Sequence, residues 1–133
     1  MRYTNNAIYT RVRSAVLAEL ATANCTQTYS PTPTKWPTVF AREIGHFTPN
    51  GTATMSNAQD ISERTWEVQI FSNLQTGAKE QAYQLLDAVK TAFRQMYFVE
   101  TFESPLDSTG NNNYYTLVAR FRRIIGSGES IPE

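Results

Sequence analysis

Cysteine and histidine are nearly missing from this chain, and each scarcity removes a class of function. Among 133 residues there is one cysteine, Cys25, and one histidine, His46. A lone cysteine closes no intramolecular disulfide, and one imidazole beside it cannot complete a four-ligand zinc site. Cys25 is expected to act as a small apolar residue packed inward. Charge of one sign is missing too: twelve basic residues balance twelve acidic ones. A dedicated nucleic-acid binder carries a marked basic excess. A neutral surface also gives copies little mutual repulsion, so association with itself or a partner is expected. No apolar run approaches the roughly 20 residues that span a bilayer. Residues 1–16 lack the unbroken hydrophobic stretch of a signal peptide, and the expectation is assembly in a cytoplasm, with no membrane partner.

What the chain has is aromatic. Seven Tyr, seven Phe and two Trp, 12% of the sequence, can build a small core with material left for a surface. The length fits one compact domain spanning 1–133. Asn5 and Asn6 are helix-capping residues, and Ile8, Val12, Val16 and Leu20 recur every four residues behind them, predicting a helix that ends near Ala23 and Asn24. A short strand is expected over 25–29. Pro31, Pro33 and Pro37 then exclude helix and central strand, leaving an ordered loop that threads Trp36 against the core or a neighbour. Alternation returns over 39–44. Residues 48–60 are polar and without period, and a long loop or hairpin arm near 45–62, carrying Met55, is expected to project from the body.

The best-specified stretch runs from Ser62 to Met96. Trp66, Val68 and Ile70 alternate with Thr65, Glu67, Gln69 and Phe71, a strand with one apolar face. Thr76 and Gly77 then open a helix whose stripe is Ala78, Ala82, Leu85, Leu86, Val89, Phe93 and Met96. A strand over 97–103, closed by Pro105, is followed by turn residues and a last strand over 114–125. In that strand Tyr115, Leu117, Ala119 and Phe121 oppose Thr116, Val118, Arg120 and Arg122. The tail 126–133 is expected to be flexible or ordered by a partner subunit. The fold class is α+β, order α-β-β-β-α-β-β, with a mostly antiparallel sheet of four to five strands and both helices on one face.

Chemistry is sparse. As a general base His46 needs an orienting carboxylate, and Glu43, three residues away on an extended strand, is expected on the opposite side. Asp60 and Glu63 lack the further oxygens a hard cation requires. Gly126-Ser127-Gly128 has no helix behind it to make a phosphate cradle. No enzyme activity, metal or cofactor is expected. The basic cluster Arg120, Arg122 and Arg123 places two arginines on one strand face. It is expected to pair with carboxylates such as Glu67, on the same sheet or a neighbouring subunit, with contact to a nucleic-acid backbone as the alternative. Candidate subunit or partner contacts are therefore Arg120, Arg122, Arg123, Glu67, Trp36 and Met55.

Taken together, the first helix, the proline-rich stretch, the strand Trp66-Glu67-Val68-Gln69-Ile70-Phe71 and the helix carrying Ala82, Leu85, Leu86, Asp87 and Val89 resemble the tail-terminator and head–tail joining proteins of long-tailed bacteriophages. Tyr115, Arg120, Phe121, Arg122 and Arg123 match their last strand, and the resemblance covers roughly 61–125. These are packing patterns, and neither the 48–60 loop nor the tail has a counterpart in them. The resemblance implies a virion structural protein assembled in the host cytoplasm. Its subunit forms a hexameric ring at the head-proximal end of the tail tube, with the tube protein and a neck protein as partners and DNA only as passing cargo. A head-completion or neck connector protein of the same particle is the near alternative, and a nucleic-acid module using the Arg120–Arg123 strand the distant one.

Overall fold

Among the described residues, two helices and five strands form in the order α1 (Asn5–Glu19), β1 (Asn24–Thr26), β2 (Thr38–Phe47), β3 (Ser62–Ser72), α2 (Ala78–Gln95), β4 (Val99–Leu106) and β5 (Tyr115–Ile125). The computed structural model describes residues 5–28, 35–47, 62–74, 76–106 and 115–125. The strands make one sheet in the spatial order β1-β2-β3-β5-β4. The three long pairings are antiparallel, while β1 runs parallel to β2, so the sheet is mixed. The protein is α+β, as its element order predicts.

The alternation of β3 sets the layers. Trp66, Val68 and Ile70 are buried with Leu117, Ala119 and Phe121 of β5 and Val39 and Ala41 of β2. Ile8, Val12 and Val16 of α1 and Leu85, Leu86, Val89 and Phe93 of α2 join the same cluster, so both helices cover one sheet face. Phe93 is the hub. Its ring stacks on Phe121 at 4.3 Å between centroids, meets Phe98 edge-on at 5.1 Å and tilts against Trp66 at 6.1 Å. Trp66 and Phe121 face each other across the β3–β5 ladder, so one helical side chain closes over a cross-strand aromatic pair.

The ends of α2 are held by backbone conformation and charge. Gly77 starts it at φ 86°, a left-handed position that suits glycine, and Glu80 and Arg94 sit in the first and last turns with signs that oppose the helix dipole. At the other end Tyr97 takes φ 65°, and Arg123 donates from Nη1 to the Met96 carbonyl at 2.7 Å. That guanidinium satisfies one of the carbonyls a helix leaves unpaired. Ser72 on β3 hydrogen bonds Gln81 at 2.6 Å, and Lys90 pairs with Glu100 at 3.6 Å and also with Glu103, tying α2 to both β3 and β4.

Several expectations shift. α1 starts at Asn5, so Asn5 and Asn6 lie inside its first turn, and it stops at Glu19, where the Leu20–Ala23 turn takes over. β1 spans three residues, because among the described residues Asn24, Cys25 and Thr26 alone pair with β2; residue 29 of the expected strand lies outside them. β4 begins at Val99 and runs through Pro105 where a stop was expected. It is the outermost strand, so the missing proline N–H removes no ladder bond on its free side. β2 and β3 take up residues 45–47 and Ser62 from the expected arm; residues 48–61, with Met55, and the tail 126–133 lie outside the described residues.

Trp66 has no exposed surface, and its indole Nε1 finds no hydrogen-bond partner among the described residues. Trp66→Ala is expected to lose about 3–5 kcal/mol in chemical denaturation. Trp66→Phe is expected to lose much less, since it keeps the ring contact and removes an unpartnered donor. Gly77→Ala should cost about 1 kcal/mol, because the space beside its Cα is open and only the left-handed backbone opposes a side chain.

Candidate interaction surface

The sheet face turned away from the helices gathers most of the residues singled out in the sequence. Strand parity dictates this: with Trp66 inward, Glu67 must point to the other side. The register then lines up Arg42 of β2, Glu67 of β3, Arg120 of β5 and Phe102 of β4 in one row across four strands. Arg120 donates from Nε and Nη2 to Glu67 Oε2, both at 3.0 Å. Gln69 donates to Oε1 at 3.2 Å, and Arg42 Nη2 lies 3.5 Å from the same oxygen. The two guanidiniums also lie over rings, Arg42 over Phe40 at 5.5 Å and Arg120 over Phe102 at 5.4 Å.

Glu67 is 6% exposed, and its burial alone would raise its pKa. The hydrogen bonds from Gln69 and Arg120 and the charges of Arg120 and Arg42 outweigh that, so the carboxyl titrates below its ordinary range. One row nearer the sheet end stand Gly45, Thr65, Arg122 and Val99, with Arg122 Nε bonded to Glu63 at 2.8 Å. Three arginines thus meet two glutamates on this face. The expected arginine ridge is there, and it is largely neutralised by carboxylates of the same chain.

The face divides into a covered and an open half. Towards one end Thr38, Phe40, Phe71, Thr116 and Val118 are buried. Towards the other, large apolar side chains stand in solvent: Ile44, Val99, Phe102 and Ile124, with Tyr97 at the rim. Arginines interleaved with exposed aliphatic and aromatic groups have the composition of a protein–protein contact. An open groove of about 490 Å³ borders this half at the end of α2, lined by Tyr97, Val99, Thr101, Arg122, Arg123 and Ile124.

The other predicted residues disperse. Arg123 sits on the helix side, where it caps α2 and lies over the Tyr97 ring at 5.3 Å. Trp36 is half-buried ahead of β2, and Met55 is outside the described residues. The strand register does not follow the simple alternation expected between Glu43 and His46. A bulge at Ile44 resets the alternation, so Glu43 faces Trp66 and His46 faces Arg64, positions on one side of β3. The Glu43 carboxylate is bonded to Arg64 at 2.9 Å, with both side chains nearly buried. Cys25 packs against the core below Tyr9, whose hydroxyl donates to the Cys25 carbonyl at 2.9 Å. Burial pushes its thiol pKa up and that of Tyr9 to about 12. Among the described residues no group of three or more His, Cys, Asp or Glu could hold a metal, and no helix is long and apolar enough to cross a membrane. Arg42, Val99 and Phe102 were not marked by the sequence; only the register brings them beside Glu67 and Arg122.

Glu67→Ala leaves Arg42 and Arg120 facing one another without their shared carboxylate, an expected loss of about 1–2 kcal/mol after allowing for the half-exposed arginines. Because the folded-state pKa of Glu67 lies below the ordinary 4.5, its stabilisation is present above that pH and is lost as pH falls through the folded value. Denaturation midpoints of Glu67→Gln should therefore differ most from wild type near neutrality and converge with it in acid.

Compared with known proteins, the chain matches no family model and no curated protein sequence.

Proposed function

We propose that this chain is a virion structural protein, a tail terminator of a long-tailed bacteriophage that forms a ring at the head-proximal end of the tail tube and joins it to the neck. The observation that carries the reading is the open half of the sheet face. Ile44, Val99, Phe102 and Ile124 stand exposed among Arg42, Arg120 and Arg122, on a rigid five-stranded support. Closed rings need two different surfaces that meet head to tail. This face is one, and the polar backs of α1 and α2 provide surfaces of another kind. The likeness of the 61–125 strand–helix–strand pattern to tail-terminator proteins supports the same assignment.

A nucleic-acid role fits the geometry less well. Arg120 is bonded to Glu67, Arg122 to Glu63 and Arg123 to the Met96 carbonyl, so phosphate would have to compete with carboxylates already in place. A head-completion or neck protein would use the same surface, and position in the particle separates the two.

Native mass spectrometry of the purified protein and cryo-electron microscopy of virions test the proposal. The expected result is a closed ring, with the protein at the junction between tube and neck. A location in the capsid neck beyond the tube end would replace the terminator with the connector reading. A chain that stays monomeric at high concentration and is absent from virions would remove both.

A further inference from the structure

β5 outruns β4 at the open end of the sheet. β4 begins at Val99, paired with Arg122, while β5 continues to Ile125 against Ser62 of β3. The step leaves the groove of about 490 Å³, with Val99 66% and Ile124 47% exposed on its apolar walls, Arg122 as its exposed cation, and Arg123, already bonded to the Met96 carbonyl, also lining it. Arg122 engages Glu63 through Nε yet stays half exposed. Such a groove suits an extended segment carrying carboxylates with a branched aliphatic residue between them.

The chain contains one such segment. Residues 126–133 read Gly-Ser-Gly-Glu-Ser-Ile-Pro-Glu, with two acidic residues and no basic one. Glu129, Ile131 and Glu133 alternate, so in an extended chain they share one side, with the carboxyl-bearing residues about 13 Å apart. Pro132 has no N–H to add to a ladder, which favours side-chain docking over strand extension. Gly126, Ser127 and Gly128 make a compliant tether.

We propose that the groove beside Val99 and Ile124 receives residues 126–133 of a second copy of this chain. This rests on the self-association proposed above and names its contact. Charge complementarity selects the occupant, and register selects the copy. A chain reversing after Ile125 to return along β5 would meet Val99 at the level of Arg122, where β4 already holds that edge. The free edge of β5 beyond Arg122 is three residues, Arg123, Ile124 and Ile125, shorter than the eight residues 126–133, which favours a segment from a neighbour reaching the groove from its open side.

Three full-length samples test this. Glu129→Lys/Glu133→Lys disables the tail, and Val99→Asp/Ile124→Asp disables the groove at two exposed positions. By sedimentation and native mass spectrometry, each variant should self-associate at least about tenfold more weakly than wild type, since one reverses the charge brought to Arg122 and the other puts carboxylates on the apolar walls. An equimolar mixture retains one good tail and one good groove, and should stop at a heterodimer. In parallel, a peptide of residues 126–133 titrated into the tail variant should shift the amide resonances of Val99, Thr101 and Ile124, and its Lys-for-Glu counterpart should not. A tail variant that assembles like wild type overturns the docking and leaves the ring. A mixture that stays monomeric while the peptide binds assigns the groove to the chain's own tail and overturns the proposal. Peptide shifts without any wild-type ring keep the docking and remove the ring, and absent shifts together with absent assembly remove both.

Discussion

The aromatic contact of Phe93 with Trp66 and Phe121 is the constraint on which the other features depend. It joins a helix to the two central strands at a single point, and it fixes which side of each strand is inside. Once Trp66 and Phe121 are inward, the period of two leaves Glu67, Arg120 and Arg122 no choice but the opposite face. A one-residue slip of β3 would turn Glu67 under the helices, away from Arg120. The packing that stabilises the protein is thus also what aims its charged row.

That row shows how a neutral chain can present arginines without becoming a polycation. Glu67 is buried deeply enough for desolvation to oppose its charge, yet two guanidiniums and an amide hold it ionised. The arginines, half exposed, keep their planar faces over Phe40 and Phe102. A surface so arranged is already internally compensated. Its recognition of a partner would rest on shape and apolar contact, with charge setting orientation.

Much of the architecture was legible in the amino-acid order because it depends on local periodicity. Ile8, Val12 and Val16 reported α1; Ala82, Leu85, Leu86, Val89 and Phe93 reported α2; Trp66, Val68 and Ile70 reported the inward side of β3. What failed was non-local. The bulge at Ile44 leaves no mark in the alternation of its own strand, so the register of His46 relative to Glu43 was missed. Pro105 reads as a stop unless its strand is known to be outermost. Arg123 reads as one of an arginine cluster, although the end of α2 makes it a cap. β1 could not be assigned a direction before its partner was known.

The sequence by itself determined the element order and the inward faces of α1, α2, β3 and β5, and it named Glu67 among the carboxylates open to the arginines of the last strand, since side-chain period and charge are carried along the chain. Only the tertiary structure decided that Arg42 shares the same carboxylate, that Phe102 closes the row, and that Val99 and Ile124 border a groove where β5 outruns β4. Those relations join residues from different strands through register. Register is set by the bulge at Ile44, the irregularity near Thr101 and the ring stack at Phe93, and none of these is written in the neighbours of any one residue.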